Sequence, residues 1–105
     1  MRRGEVWWAE LAPPAGRRPV LLLSRNSVYT ARTRLTVAPL TRTIRTIPSE
    51  VRLGAEDGMA SECVADLDDI LTIRRPRLIR QITTLSEERM AEVDRAILFA
   101  LDITV

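Results

Sequence analysis

Arg17-Arg18-Pro19-Val20-Leu21-Leu22-Leu23-Ser24 sets two cations at the mouth of an unbroken apolar run. The run is too short to cross a membrane, which takes about 20 apolar residues in a helix. Its Val and Leu content, bounded by proline and serine, suits a strand buried on both faces, from Pro19 to Ser24 or Arg25. The doublet then stands where a buried strand begins, at the rim of the core. An Arg there presents a rigid fork of N–H donors that matches a phosphate. Leu35-Thr36-Val37-Ala38-Pro39-Leu40-Thr41-Arg42-Thr43 repeats the layout, with a strand, a proline and two hydroxyls flanking an arginine. If the two strands are neighbours, Arg18, Thr41 and Thr43 face one pocket.

Outward from this pair, Gly4 to Leu11 reads as a first strand. Adjacent residues on a strand face opposite sides, so Trp7 and Trp8 cannot both be core, and one of them lies on a second surface, as a half-exposed edge aromatic, a subunit contact or a base-stacking platform. The breaker cluster Ala12-Pro13-Pro14-Ala15-Gly16 is a short loop. Asn26 to Thr30 reads as a turn or a single helical turn, and Thr33 to Leu40 as the third strand. Arg42 to Ile47 is a basic, β-branched segment that reads as a solvated loop. Glu50-Val51-Arg52-Leu53 alternates as a half-buried strand does, and Gly54 to Gly58 is an acidic turn.

Ser61 to Ile70 holds a strand with acids near its end; Leu71 to Ile73 continues the sheet. Arg74 to Arg77 is a basic turn before a last strand over 78–82. Ser86 then has the position of a helix N-cap, with Glu87 and Glu88 in the first turn where they suit the helix dipole. Met90, Val93, Ile97, Leu98 and Leu101 recur at helical spacing and predict an amphipathic helix packed on the sheet. Several strands followed by one terminal helix predict the α+β class. The expected architecture is one domain over 1–105, a small, strongly bent antiparallel sheet or partial barrel with a C-terminal helix. An exposed Trp and apolar edges on so small a sheet call for a partner subunit.

The net charge of +2 is small but unevenly spread. Eight arginines and one acid lie between Arg17 and Arg52, whereas six acids and no cation lie between Leu53 and Ile73. A concentrated basic block in a nearly neutral chain points to a local anionic partner. The chain has no His, which excludes His as acid or base and as a metal ligand. Asp66, Asp68 and Asp69 have no His beside them, and a structural or ion-pairing role is preferred to a metal site. Cys63 has no disulfide partner in the chain and reads as a small buried apolar residue. With no membrane span and no signal-peptide pattern, the expected location is the cytoplasm.

A site of Arg and hydroxyls suits recognition of phosphate, and it permits RNA cleavage without a metal. In RNA the nucleophile belongs to the substrate: the 2′-OH attacks the adjacent phosphorus, and the protein aligns that attack and stabilises the added negative charge. Proton transfer is the weak point, because neither Arg nor Thr has a pKa near neutrality. From the residues alone the chain is a nucleic-acid or phosphate binder, with cleavage as the sharper alternative.

Arg3-Gly4-Glu5-Val6-Trp7, the stretch from Arg18 to Ser24 and Val37-Ala38-Pro39-Leu40-Thr41 come in order, followed by Ser49-Glu50-Val51, Asp68-Asp69-Ile70 and the helix from Ser86. Together they resemble the MazF/PemK family of bacterial toxins over nearly the whole chain. The resemblance implies an SH3-like sheet of the CcdB/PemK type and a homodimer. It implies the toxin of a type II toxin–antitoxin system, a sequence-specific, ribosome- and metal-independent endoribonuclease. The products from single-stranded RNA (messenger, ribosomal or transfer) would be a 2′,3′-cyclic phosphate and a 5′-hydroxyl. No cofactor is implied. A MazE-type antitoxin with an acidic, largely disordered tail would block the groove.

By the same resemblance Arg18 and Thr41 match the catalytic pair. Ser24 and Asn26 match polar positions that line the groove in relatives, and Thr43 falls where relatives place a hydroxyl or amide. Arg17, Arg42 and Arg45, in the basic block, complete the expected RNA-binding set. Two positions depart from the family pattern. The loop over 12–16 is short and lacks the Glu considered for proton transfer in relatives, which leaves Arg18, Thr41, water or Glu50 for that task. Asp69 stands where relatives often have Gln or Asn. The competing readings are a same-fold, CcdB-like gyrase poison and a non-catalytic RNA-binding module.

Overall fold

A computed structural model describes residues 1–105. The strands are β1 (Glu5–Glu10), β2 (Arg17–Leu22), β3 (Arg34–Thr41), β4 (Glu50–Leu53), β5 (Cys63–Asp66), β6 (Leu71–Arg74) and β7 (Leu78–Thr84). A single helical turn, α1 (Val28–Ala31), precedes β3, and the longer helix α2 (Glu87–Ala100) follows β7. The strands form one antiparallel open sheet in the order β4-β5-β3-β2-β1-β7, and β6 also pairs with β3.

The sheet bends because β3 has two partners along one edge. Arg34 to Val37 pair with β6, while Leu40 and Thr41 pair with β5. Pro39, which has no N–H to give to a ladder, lies at the hand-over, where neither strand has a residue in register with it. The other edge of β3 runs along β2, with Val20 opposite Pro39 and Leu22 opposite Val37.

Strand β2 is buried on both faces, as its composition predicts: Val20, Leu21 and Leu22 are all 0% exposed. Alternation sends them to different cores. Leu21 joins Val6, Ala38, Leu40 and Ala65 on the face covered by α2 through Val93 and Ala96. Val20 and Leu22 join Leu35, Val37, Tyr29 and Ile73 on the other face. Truncating either Leu to Ala would cost about 2–5 kcal/mol.

Several boundaries differ from those the sequence predicts. Strand β2 begins at Arg17, not Pro19, because Arg17 and Arg18 already pair with Glu10 and Ala9 of β1. It ends at Leu22, short of Ser24. The 61–70 stretch holds only four strand residues before a 3-10 turn over Leu67–Asp69. β6 turns onto β3 as a separate strand, and β7 runs on to Thr84. Ser86 caps α2, its hydroxyl accepting the Arg89 amide at 3.1 Å. The predicted apolar stripe runs too far: α2 ends at Ala100, and Leu101 beyond it is 57% exposed.

The tryptophans part as expected. Trp7 packs against the core under β2 and donates from its indole N–H to Glu5 at 2.8 Å. Trp8 is half-buried and faces the cavities at the arginine end of the sheet.

Candidate functional site

The β2–β3 register that sets Val20 opposite Pro39 carries Arg18 toward Thr41, and both line a pocket of about 400 Å³. Arg17, Arg42, Thr43 and Trp8 complete its wall. Arg18 is half-buried and takes part in none of the side-chain hydrogen bonds or ion pairs of the fold, and neither does Arg42. Arg17 is exposed and lies 3.4 Å from Glu10. No carboxylate lines the pocket. It is therefore a cationic recess with free guanidinium donors beside hydroxyls, the arrangement that holds a phosphate.

Thr41 is oriented within the recess. Its Oγ1 accepts the Thr43 N–H at 3.2 Å, which leaves its own O–H to donate elsewhere. The segment beyond Thr43 is held from below by Glu50. That side chain is 2% exposed, and its Oε1 accepts the amides of Arg45 at 2.9 Å and Thr46 at 3.1 Å. Its Oε2 has no hydrogen-bond partner and lies 3.8 Å from the Arg45 guanidinium. Glu50 is thus a clamp on the 42–48 loop and does not line the Arg18–Thr41 pocket.

The other expected contact residues lie elsewhere. Ser24 is six residues along from Arg18, and its Oγ accepts the Thr36 amide at 2.8 Å. Its carbonyl accepts the Tyr29 hydroxyl at 2.9 Å; burial pushes that hydroxyl up to about 12, so it stays a neutral donor. Asn26 Oδ1 accepts the Arg3 amide at 2.7 Å. Both polar side chains close the far end of β2, and the structure does not bring them to the Arg18–Thr41 pocket. Arg45 is exposed on the clamped loop and does not line it either.

The acids have structural partners. Asp66 Oδ1 accepts the Asp68 amide at 3.0 Å, and Asp68 Oδ2 accepts the Ser49 hydroxyl at 2.5 Å, so the pair caps the turn after β5. Burial, followed by the hydrogen bond and charge of Asp69, pushes the Asp66 carboxyl up. Burial also pushes the Cys63 thiol up, consistent with an inert, packed side chain.

A second cavity, of about 500 Å³, opens from the first and shares Trp8, Pro19, Leu40, Thr41 and Arg42 with it. Its far wall is the segment from Ala55 to Cys63. Nothing in the sequence singles out this wall as part of a site. Asp57 ties it to α2, with one carboxylate oxygen 2.9 Å from Arg89 Nε and the other accepting the Gly54 amide. Arg89 also pairs with Glu56 at 3.1 Å and Glu92 at 3.0 Å.

Comparison with known proteins agrees with this geometry. The family of PemK-like, MazF-like toxins of type II toxin–antitoxin systems matches residues 2–101. "Probable endoribonuclease MazF2" of Mycobacterium tuberculosis is 45% identical over 93 residues, 88% of this chain and 89% of that one. The solved structure of the Mycobacterium tuberculosis toxin MazF-mt6 superposes with a TM-score of 0.89 at 34% identity, over 96% of this chain and 99% of that one. A mycobacterial endoribonuclease solved in complex with its cognate antitoxin gives 0.88 at 26% identity, over 100% and 98% of the two chains. The seven-stranded sheet with its terminal helix is that of a MazF-type toxin, and the chain belongs to the PemK/MazF family.

Proposed function

We propose that this chain is the toxin of a type II pair and a metal- and ribosome-independent endoribonuclease that cuts single-stranded RNA at short sequences. One observation carries the reading: Arg18 and Thr41, from different strands, line one recess that holds free cations and no carboxylate. The relatives named as endoribonucleases support it.

In the proposed reaction the 2′-oxygen of the substrate bonds to the adjacent phosphorus and the P–O5′ bond breaks. The products are a 2′,3′-cyclic phosphate and a 5′-hydroxyl. The Arg18 guanidinium binds the non-bridging oxygens through two N–H donors and offsets the charge that grows on them. The Thr41 hydroxyl donates to the same phosphoryl group, its acceptor side engaged by Thr43. Arg17, Arg42 and Thr43 hold flanking phosphates. The 2′-OH proton passes to water and the departing 5′-oxygen takes one from water, since no carboxylate or imidazole lines the recess.

The same cations suit an acidic antitoxin tail that blocks the recess. A second copy of the chain covers the apolar side chains left exposed at the end of α2, Phe99, Leu101 and Ile103. No helix is long and apolar enough to cross a membrane, and the proposed site of action is the cytoplasm.

The test is incubation of purified protein with a long unstructured RNA in EDTA, beside Arg18→Ala and Thr41→Ala, with the ends mapped. Cleavage at a short recurrent sequence, leaving 5′-hydroxyl ends and lost in both variants, is the expected result. Intact RNA with folded wild-type protein overturns the reading. Inhibition of gyrase supercoiling in its place would move the chain to the CcdB-like class.

A further inference from the structure

We infer that the 500 Å³ cavity beside the Arg18–Thr41 recess is a receptor for one unstacked nucleobase of the RNA, the base next to the phosphate being cut, which stacks on Trp8. This rests on the nuclease reading for its substrate and goes beyond it in assigning a specificity site.

Four observations point to a base. The first is continuity: the cavity and the phosphate recess share walls, so a ligand in one is within a nucleotide's reach of the other. The second is lining. Trp8, Pro19, Leu40, Met59, Cys63 and Ile82 make most of the surface apolar, and Leu40, Met59 and Cys63 are themselves buried. A phosphate or sugar gains nothing there, whereas the flat face of a base does.

The third is charge. Arg42 and Thr41 stand between the two spaces, and no acidic side chain lines either one. An anionic chain can therefore thread a base inward without a like charge opposing its backbone. The fourth is preorganisation. The wall from Ala55 to Cys63 is anchored at three points. Arg89 holds Asp57 at 2.9 Å, Thr83 donates to the Asp57 carbonyl at 2.9 Å, and the Met59 amide reaches the Gly54 carbonyl at 3.2 Å. A wall fixed before binding discriminates by shape, because little ordering is left to be done when the ligand arrives. The volume lies within the range of about 300–1,000 Å³ common to small-ligand sites. Ser61 at the rim supplies a hydroxyl able to read the edge of the base.

The test scans a short RNA that carries one mapped cut site. Each nucleotide flanking the cut is replaced in turn by an abasic one, and kcat/KM is measured for wild type, Trp8→Phe and Trp8→Leu. Binding to the same RNAs with a 2′-deoxyribose at the cut is followed by fluorescence anisotropy. One abasic position is expected to cost wild type about 5- to 150-fold, the span of base–aromatic stacking. The same position should cost Trp8→Phe nearly as much and Trp8→Leu, which keeps apolar bulk without a π-face, less than about threefold. Losses that simply multiply, or no sensitive position at all, overturn the proposal and leave the nuclease reading standing.

If no RNA is cut, the abasic scan is run by anisotropy on the tightest-binding RNA. Trp8-dependent sensitivity there keeps the base site and removes the nuclease. Absence of RNA binding removes both. Weaker binding of the antitoxin by Trp8→Leu with every RNA arm unchanged identifies a protein-docking pocket instead, and overturns the proposal.

Discussion

The Thr43 amide donates to Thr41 Oγ1 at 3.2 Å, so the backbone two residues on sets the direction of a hydroxyl in the recess that Arg18 also lines. A hydroxyl whose acceptor side is engaged becomes a donor toward whatever fills the recess. Thr41→Val keeps the shape and removes the donor. It is expected to lower kcat by about 10²–10³-fold, the usual effect of one lost donor to a developing oxyanion, with little change in KM. Thr41→Ser should recover most of the rate. Single-turnover cleavage of a short RNA measures both, and equal rates for Thr41→Val and wild type would remove Thr41 from the chemistry.

Arg18→Lys is a sharper test of the recess than Arg18→Ala, because it keeps the charge and removes the fork. A guanidinium spans two phosphoryl oxygens, whereas an ammonium is a point charge on a flexible stem. The expected outcome is loss of most of the rate with RNA binding kept within about threefold, read by pairing single-turnover kinetics with anisotropy. Full activity in Arg18→Lys would show that Arg18 serves only as a charge.

How far this arrangement is legible in the sequence depends on the range of the interactions that build it. Val20 to Leu22 declare a strand buried on both faces because burial on both sides needs an unbroken apolar run. The Ser86 cap is equally plain, since its partner is three residues away. The nearness of Arg18 and Thr41 follows from two similar stretches lying side by side. The start of β2 at Arg17 does not follow, because it is set by pairing with Glu10 across a turn. Ser24 and Asn26 are polar residues at a strand end, where recognition and backbone capping leave the same mark on a sequence. The cavity wall is hidden for the same reason at greater range: Asp57 and Arg89 are 32 residues apart.

The Glu50 clamp predicts an effect at a distance from the chemistry. Glu50→Ala leaves the amides of Arg45 and Thr46 without their acceptor; both hydrogen bonds lie at the exposed surface, where water can replace it, so the loss should be about 0.5–1.5 kcal/mol in urea unfolding. If the loop loosens instead, stability changes less, KM for RNA rises, and trypsin cuts after Arg42 or Arg45 sooner than in wild type. Unchanged stability, KM and proteolysis together would show that the carboxylate holds nothing.

Gly58 tests the wall of the second cavity. Its φ is +88°, and a Cβ built there overlaps Thr83 Oγ1 and lies 2.9 Å from Thr83 Cβ. Gly58→Ala therefore combines left-handed strain with a clash, and is expected to destabilise by about 1–3 kcal/mol. In a Thr83→Ala background the overlap with Oγ1 is removed, while the close approach to the Thr83 Cβ and the left-handed strain remain. The double variant should thus lose less than the sum of the two single losses, measured by thermal unfolding. Simple additivity would show that the two residues do not meet.

Asp57 and Asp66 predict pH dependences of opposite sign. Burial raises Asp57, but the hydrogen bonds from Arg89 and Gly54 outweigh it and hold the carboxyl below its ordinary 3.8. Its contribution is fully present above that pH and is lost as pH falls through the lower folded value. Asp66 is raised, by burial first and then by Asp69. Its ionised form opposes folding at neutral pH, and that penalty is relieved as pH falls through the raised value toward 3.8. Asp57→Asn should therefore destabilise at pH 7, by about 1.5–3 kcal/mol for a charged hydrogen bond, and flatten the loss of stability below pH 4. Asp66→Asn keeps an oxygen for the Asp68 amide and removes the buried charge. It should be neutral or stabilising at pH 7, with an advantage over wild type that shrinks on acidification. Urea midpoints across the acidic range measure both profiles. A destabilised Asp66→Asn whose deficit is the same at every pH would show that the Asp66 carboxylate carries no penalty, and that the lost stability comes from hydrogen bonding or packing in the turn after β5 and not from charge.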